Sequence, residues 1–558
     1  MSNDATVALT GTFPFIIIVS AILALVVSFF LLLLYRRAVV QAMSALAGVP
    51  SKSTQPSFAS NRPSGISFPV IEIMESAVRE RSASHSKGAY LQAVQSLNRL
   101  TLAYAIAGLG YALVFAVVMM FLAGADSSVN RFLVLLSFYS WPVAFSCSLI
   151  NSSVGKRVFI YYVVIVMLIA ILVLLRNSGT LQAGELILLW LITNGPATVL
   201  LLTFLNRRVR AVGPLVLVFM IIATAGSVAT LSVVGGNQLL LGRVADIGAV
   251  LGLDGVVIFF LVLLTGFILF GVIGWPLLQL FGRKYQQKRM SEQAITIDAV
   301  YLLFGVVQSI TLVFDGHVFI FTGIVAFVVY KFVFQFVYRL LSGRHDKECS
   351  KKQLLLLRVF SLGKKSERLF DTIGSVWLRT GNINLIAGPD LATSTVEPHE
   401  FLDFMGGHLS RQFVKGDEDL EQRISGMDNL PDPDGRYRVN EFFCRADTWQ
   451  MTMQRLASKS DAVLMDLRRL SEKNRGCLYE LHQIFNTVPL ESVIFVIDDS
   501  TDRNFLEKSC REIWETLTPT SPNAKLSKPV VLCFLIRNGS INETDKLLSI
   551  LYDAAVAV

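Results

Sequence analysis

Two kinds of hydrophobic pattern predict a chain in two parts: a multi-span α-helical membrane domain, then a cytoplasmic α/β domain built on an open five-stranded parallel sheet. The first half has apolar stretches of membrane-crossing length. The second has short apolar runs alternating with helical periodicity, and the charge balance changes sign between the halves. Of 558 residues, 53% are hydrophobic and 16% charged, against roughly 45–50% and about 25% in soluble domains, which excludes an ordinary water-soluble enzyme. Residues 1–349 hold 24 Lys and Arg against 13 Asp and Glu, and residues 350–558 hold 26 against 29. The net +8 and pI near 9.1 therefore belong to the apolar half and point to a lipid bilayer surface, not to nucleic acid.

A helix needs roughly 20 apolar residues to cross the hydrocarbon core. Nine stretches qualify: Phe15 to Tyr35, Leu102 to Ala123, Phe132 to Ile150, Val158 to Leu175, Leu186 to Leu205, Leu215 to Val234, Val256 to Leu280, Ile295 to Phe314 and Val318 to Tyr338. The connections on one side hold 20 Lys and Arg, eight of them between Arg36 and Arg99, while the other side has Arg131, Arg176 and Arg243 alone. Basic loops stay cytoplasmic, so the sequence predicts an inner (plasma) membrane protein with its N-terminus outside and its C-terminal domain in the cytoplasm. The first span has no basic residue before it and Arg36-Arg37 directly after it, which reads as an uncleaved anchor. The predicted organisation is 1–101, anchor helix and Ser/Pro-rich linker; 102–345, eight further spans; 346–380, a juxtamembrane connector helix; and 381–558, the α/β domain. Val70 to Leu100 is expected to form an amphipathic approach helix.

Polar groups within the spans are few: Asn194, Gln308, Asp298 and Lys331. Trp141-Pro142, Asn194-Gly195-Pro196 and Trp275-Pro276 can be cavity-lining kinks or packing irregularities relieved by neighbouring helices. The six cysteines are scattered without a C-x-x-C pair, as expected of reduced thiols in a cytosolic setting, and offer no metal spacing.

Beyond Asn382 the apolar runs Ile383 to Ala387, Tyr437 to Cys444, Ala462 to Met465, Val493 to Ile497 and Val530 to Ile536 suit strands buried on both faces. Helices with three- and four-residue apolar spacing separate them, giving a doubly wound sheet of flavodoxin-like type. Ligands bind such sheets beyond the carboxyl ends of the strands. That rim carries Gly388-Pro389-Asp390, Arg445, Asp466 and Arg468, and Asp498-Asp499. Asp447, with Gln450 three residues on, fits a helix N-cap, and Asp498 and Asp499 can end a strand and cap the next helix. On a helix starting near Asn474, Cys477, Leu478, Leu481, Ile484 and Phe485 form the buried stripe, with Glu480 at its edge.

The strand Ala462 to Met465, the loop holding Ser471, and Gly476-Cys477-Leu478-Tyr479-Glu480-Leu481 together resemble the TIR (Toll/interleukin-1 receptor) pattern of strand, Ser-containing loop and Trp-Cys-x-x-Glu-Leu, with Gly476 in place of the tryptophan. The segment is also similar to nucleoside 2-deoxyribosyltransferases, where Gly-Thr-x-x-Glu opens the corresponding helix. The resemblance covers about Asn382 to Val558. It implies that Glu480 is catalytic at an N-glycosidic bond, with NAD or a related nucleotide as substrate and no permanently bound cofactor. From their place at that rim, Gly388, Pro389, Asp390, Arg445, Asp466, Arg468 and Asp499, with Ser471 of the resembling loop, are expected to contact the substrate, and the resemblance implies a homo-oligomer acting in immunity or signalling. Two alternatives stay open: a non-catalytic docking module on the same fold, and a transporter or channel with a regulatory cytoplasmic domain. A phosphate-binding G-x-x-x-x-G-K-[ST] loop, a H-E-x-x-H helix and a G-x-S-x-G elbow are all missing from the sequence.

Overall fold

The computed structural model describes residues 3–44, 68–74, 85–124, 128–176, 184, 198–199, 202–204, 207–210, 212–312, 316–341, 352–358, 364–387, 396–427, 429–445, 447–537 and 541–556. The chain divides into two compact units. One comprises Met1–Leu34, Asn98–Gly343 and Val396–Met405, and the other Tyr35–Leu97, Arg344–Thr395 and Gly406–Val558.

The helical unit draws on α1 (Asn3–Ser44), α2 (His85–Ala123), α3 (Val129–Tyr139), α4 (Trp141–Ile150), α5 (Ser152–Arg176), α6 (Gly213–Gly236), α7 (Gln238–Val250), α8 (Gly255–Gln286), α9 (Glu292–Leu312) and α10 (Thr322–Leu341). Among the described residues six helical segments are long and apolar enough to cross a membrane: Val19–Met43, Leu91–Ala123, Val129–Ile150, Gly213–Gly236, Gly255–Gln286 and Thr322–Leu341. The chain therefore has the character of a multi-pass membrane protein. The stretches expected at Val158 to Leu175 and Ile295 to Phe314 fall on α5 and α9, while most of Leu186 to Leu205, with Asn194-Gly195-Pro196, lies outside the described residues. Of the expected kinks, Ser140 separates α3 from α4, whose first turn holds Pro142, and Pro276 sits inside α8. The helix α7 was not anticipated; the Asn237 side chain caps it by accepting from the Leu239 and Leu240 N–H groups at 3.0 and 3.3 Å. Where α9 meets α10, Gly305 and Gly323 lie backbone against backbone, too close for a Cβ, and the Gly323 N–H donates to Ser309 Oγ at 2.7 Å. Small residues let membrane helices approach in this way.

The second unit is a seven-stranded sheet: β1 (Val70–Met74), β2 (Lys352–Arg358), β3 (Gly381–Ala387), β4 (Val439–Phe443), β5 (Ala462–Asp466), β6 (Val493–Ile497) and β7 (Val530–Leu535). Its order is β1-β7-β6-β5-β2-β3-β4, and every pairing is parallel. The five expected strands are present as β3 to β7. The other two correct the sequence reading. Val70–Met74, expected to begin an approach helix, pairs with β7 at the sheet edge. The segment expected as a connector helix instead supplies the central strand β2, followed by helix α11 (Lys364–Trp377). Counted from β2, the six strands lie in the order 3-2-1-4-5-6 of doubly wound dinucleotide-binding sheets, not the flavodoxin-like 2-1-3-4-5.

Alternation along each strand feeds two cores. On one face Leu355, Leu357, Val463, Met465 and Phe495 pack beneath α14 (Trp449–Ser458), α15 (Arg475–Thr487) and α16 (Arg503–Glu515). On the other, Leu354, Leu356, Ile383, Leu385 and Leu464 pack beneath α11 and α17 (Ile541–Val556). Between β3 and β4 the chain forms α12 (Pro398–Met405) and α13 (Asp417–Ser425). The helix α12 belongs to the helical unit, where Leu402 lies on Gly282 and the His399 ring stacks on Tyr285.

At the start of β3, Gly381 faces Lys352 so closely that a Cβ would collide with the Lys352 carbonyl. Gly381→Ala must spread β2 from β3, as overpacking does, at about 1–3 kcal/mol. Thermal unfolding of the full chain in detergent will show this as a lower midpoint for the sheet unit; an unchanged midpoint would mean that the β2–β3 start is slack.

Candidate functional site

The crossovers from the central strands leave in opposite directions between β2 and β5, so the carboxyl ends of these two strands border a topological switch point. The last residues of both strands are charged and buried: Arg358 and Asp466 are register partners across the β2–β5 pairing. Asp466 is held by Arg468, whose Nε and Nη2 donate to its two oxygens at 2.8 and 2.6 Å, while the Arg468 N–H donates to Oδ1 at 3.3 Å. This bidentate fork is followed by Arg469 with φ 62°, a left-handed turn that non-glycine residues seldom adopt.

The next helix brings in the acid. Ser471 and Asn474 build the entry to α15: the Ser471 N–H and hydroxyl both donate to Asn474 Oδ1, at 3.0 and 2.8 Å. Cys477, Leu481, Ile484 and Phe485 fix the helix on the sheet. Trp449 and Tyr479 meet edge to face at 5.3 Å, so the Tyr479 ring packs against α14 while its exposed hydroxyl accepts from Gln454 Nε2 at 3.0 Å. Glu480 is 3% exposed, inside the buried face and not merely at its edge. Its Oε2 makes no hydrogen bond among the described residues. Burial raises its carboxyl from the usual 4.5 to about 8, with the Arg358 charge opposing the rise. Burial, with the charges of Glu480 and Asp466, also holds the Cys477 thiol well above its usual range, leaving it un-ionised.

The structure thus brings together Glu480, Asp466 and Arg468 from the expected set and adds Arg358, which the sequence reading did not single out. The signal for Arg358 was available: a run of four leucines ends in a charge, as Ala462 to Met465 ends in Asp466. Other expected residues fall elsewhere. Ser471 is exposed with its hydroxyl committed to Asn474. Arg445 follows β4, two strands beyond β2 in the sheet order, and its N–H donates to Thr448 Oγ1 at 3.0 Å. Asp499 is exposed, whereas Asp498 turns inward and binds the Ser500 hydroxyl and N–H. Asp502, not Asp498 or Asp499, caps α16, and Thr448, not Asp447, holds the N-cap position of α14. Gly388, Pro389 and Asp390 lie outside the described residues. Among the described residues no group of three or more His, Cys, Asp or Glu side chains is placed to hold a metal ion.

Comparisons with protein-family models, curated proteins and solved structures find no match to this chain.

A carboxyl that is neutral when folded and ionised when unfolded gives stability a defined pH dependence. Below about 4.5 both states are protonated and Glu480 contributes nothing. As pH rises toward about 8 only the unfolded state releases the proton, so stability falls by up to about 1.4 kcal/mol per pH unit, then levels off. Glu480→Gln removes this slope. Unfolding measured from acid to mildly alkaline pH will show the variant matching wild type at low pH and exceeding it increasingly up to the plateau; parallel curves would mean that the carboxyl is ionised in the folded protein.

Proposed function

We propose that this multi-pass membrane protein carries a cytoplasmic nucleotide-processing domain, in which Glu480 acts on the N-glycosidic bond of NAD or a related nucleotide. The observation that carries this reading is a buried carboxyl with an unpaired oxygen at the switch point of a sheet in dinucleotide-binding order, facing an arginine. The resemblance of Cys477-Leu478-Tyr479-Glu480-Leu481 to TIR-like and deoxyribosyltransferase-like domains supports the same chemistry at the same residue.

The site suits that reaction. Breaking the bond between ribose and a cationic nicotinamide ring develops positive charge on the sugar. A substrate cation beside Glu480 favours its carboxylate form, so binding expels the proton and leaves a negative charge where the oxocarbenium centre grows. Attack by water at that carbon releases a proton, and a carboxylate whose conjugate acid titrates near 8 is a good acceptor at neutral pH. The sum is nucleotide plus water giving the ribosyl product, free base and one proton. Arg358 offers positive charge to a pyrophosphate, and the Asp466–Arg468 fork keeps the floor of the site rigid.

Cytoplasmic placement is supported by the basic connections, and sheet pairing supports one shared side for the two segments it joins. Val70–Met74 hydrogen-bonds to β7, so the segment after the first apolar helix and the C-terminal domain share one side of the membrane. On this reading the chain between them crosses an even number of times, as the eight further spans expected from the sequence would have it; the described residues hold five candidate spans of that stretch.

The test uses the full chain in lipid nanodiscs, because a fragment beginning near residue 350 would leave the β7 edge uncovered. Incubated with NAD, wild type releases nicotinamide, and Glu480→Gln reduces the rate by about 10²-fold or more. Turnover unaffected by that substitution, or absent for every nucleotide tried, would remove the enzymatic reading.

A further inference from the structure

Several of the ionisable and hydroxyl groups buried in the helical unit meet at one place. Asp298 on α9 binds Lys331 Nζ through Oδ2 at 2.7 Å and accepts the Tyr330 hydroxyl on Oδ1 at 3.4 Å, both partners coming from α10. Tyr330 is fully buried, and its ring stacks on Tyr301 with centroids 4.2 Å apart and planes 17° from parallel. Tyr301 lies one turn along α9 from Asp298, and its hydroxyl sits 3.4 Å from Ser146 Oγ on α4. Its carbonyl accepts the Tyr111 hydroxyl of α2 at 3.2 Å. On the same helix Gly108 leaves the space that the Tyr301 hydroxyl fills, since a Cβ there would collide with it. Four helices therefore contribute to one polar cluster within an apolar bundle.

Adhesion between helices does not need two full charges. Neutral hydroxyl and amide bonds suffice to hold membrane helices together, whereas charged groups within a bilayer are expensive and mark functional positions. The ion pair is also unequal. The Lys331 side chain is 36% exposed and that of Asp298 15%. The lysine stem can carry its ammonium to the interface without a counter-ion, but the carboxylate has no such route to water. The pair can therefore be taken apart from one side only, by neutralising the aspartate.

We propose that Asp298, Lys331 and Tyr330 form a proton-binding site through which the helical unit is coupled to protons. One proton taken from water converts the Asp298 carboxylate to a carboxylic acid and breaks its ion pair. The site gains one unit of charge, which the Lys331 ammonium carries to the interface. The acid proton then faces the Tyr330 hydroxyl. The titratable groups around Asp298 are Lys331 and Tyr330 on α10 and Tyr301 on its own helix; Tyr104 on α2 lies beyond, its ring 6.5 Å from that of Tyr330. Release of the pair loosens the α9–α10 contact, which Gly305 and Gly323 otherwise hold close. This inference is independent of the chemistry at Glu480.

Infrared difference spectroscopy of the full chain in lipid vesicles reads the site directly. On acidification, wild type gains a carboxylic C=O band that Asp298→Asn lacks. In Lys331→Met, which keeps the acid and removes its counter-charge, the Asp298-dependent band is already present at neutral pH, where wild type shows only the band of protonated Glu480. The Lys331→Met spectrum preserves the test should Asp298→Asn fail to fold. The proposal is overturned if, over the pH range in which the protein stays folded, no band depends on Asp298, or if Lys331→Met and wild type titrate alike. With a pH gradient and a dye enclosed in the vesicles, proton entry should be faster for wild type than for either variant; equal rates would limit the site to binding without passage.

Discussion

The gap between two neighbouring parallel strands governs the candidate site. Where β2 and β5 lie side by side and their crossovers leave in opposite directions, the sheet edge offers no continuous backbone cover, and side chains must supply what surrounds the opening. Here they supply Arg358, Asp466, Arg468 and Glu480. Asp466 and Arg468 balance each other's charge, and Arg358 adds a positive one. The fourth is stripped of water without gaining a hydrogen bond at Oε2, and that imbalance keeps it protonated near neutrality. Such a group is costly for folding and useful to chemistry, and proteins commonly accept that exchange at their functional sites.

The strands that bury both faces were the most legible elements. Val493 to Ile497 and Ala462 to Met465 are continuous apolar runs, partly β-branched, and the sequence could hardly read otherwise. β2 was missed because Leu354 to Leu357 are four strong helix formers between Lys352-Gln353 and Arg358; only its neighbours, Ile383 on one side and Ala462 on the other, make it a strand. β1 was missed for a related reason. Five residues after a Ser- and Pro-rich stretch carry little signal by themselves, and their pairing with β7 spans most of the chain. With two strands hidden, the strand order could not be derived, and the flavodoxin-like expectation followed from an incomplete list.

At the site, periodicity placed Glu480 on the correct side of α15 but underestimated its burial, because α15 packs on strands remote in sequence, one of which brings the charge of Arg358 to bear on it. The local polar residues misled in the opposite direction. Ser471 and Asp498 look available in a one-dimensional reading, yet short-range turn geometry occupies their oxygens. A side chain close to its own backbone partners is the least dependable substrate contact.

In the membrane half, apolar length exposed the helices and said little about their contacts. Asp298 and Lys331 were visible as exceptions to an apolar pattern, but the pairing of α9 with α10 rests on glycines at positions 305 and 323 that no hydropathy window distinguishes. The pairing of β1 with β7 links the halves in a different way: it ties the connection after the first apolar helix to the C-terminal domain and so restricts the topology of everything between.

Hydrogen exchange on the full chain in nanodiscs, with and without pyrophosphate nucleotides, tests the central claim most directly. Occupancy of the switch point should slow exchange at the carboxyl ends of β2 and β5 and in the first turns of α15, leaving the β1 edge and α17 unchanged. Protection confined to other parts of the sheet, or none with any nucleotide in the series, would contradict a nucleotide site in front of Glu480.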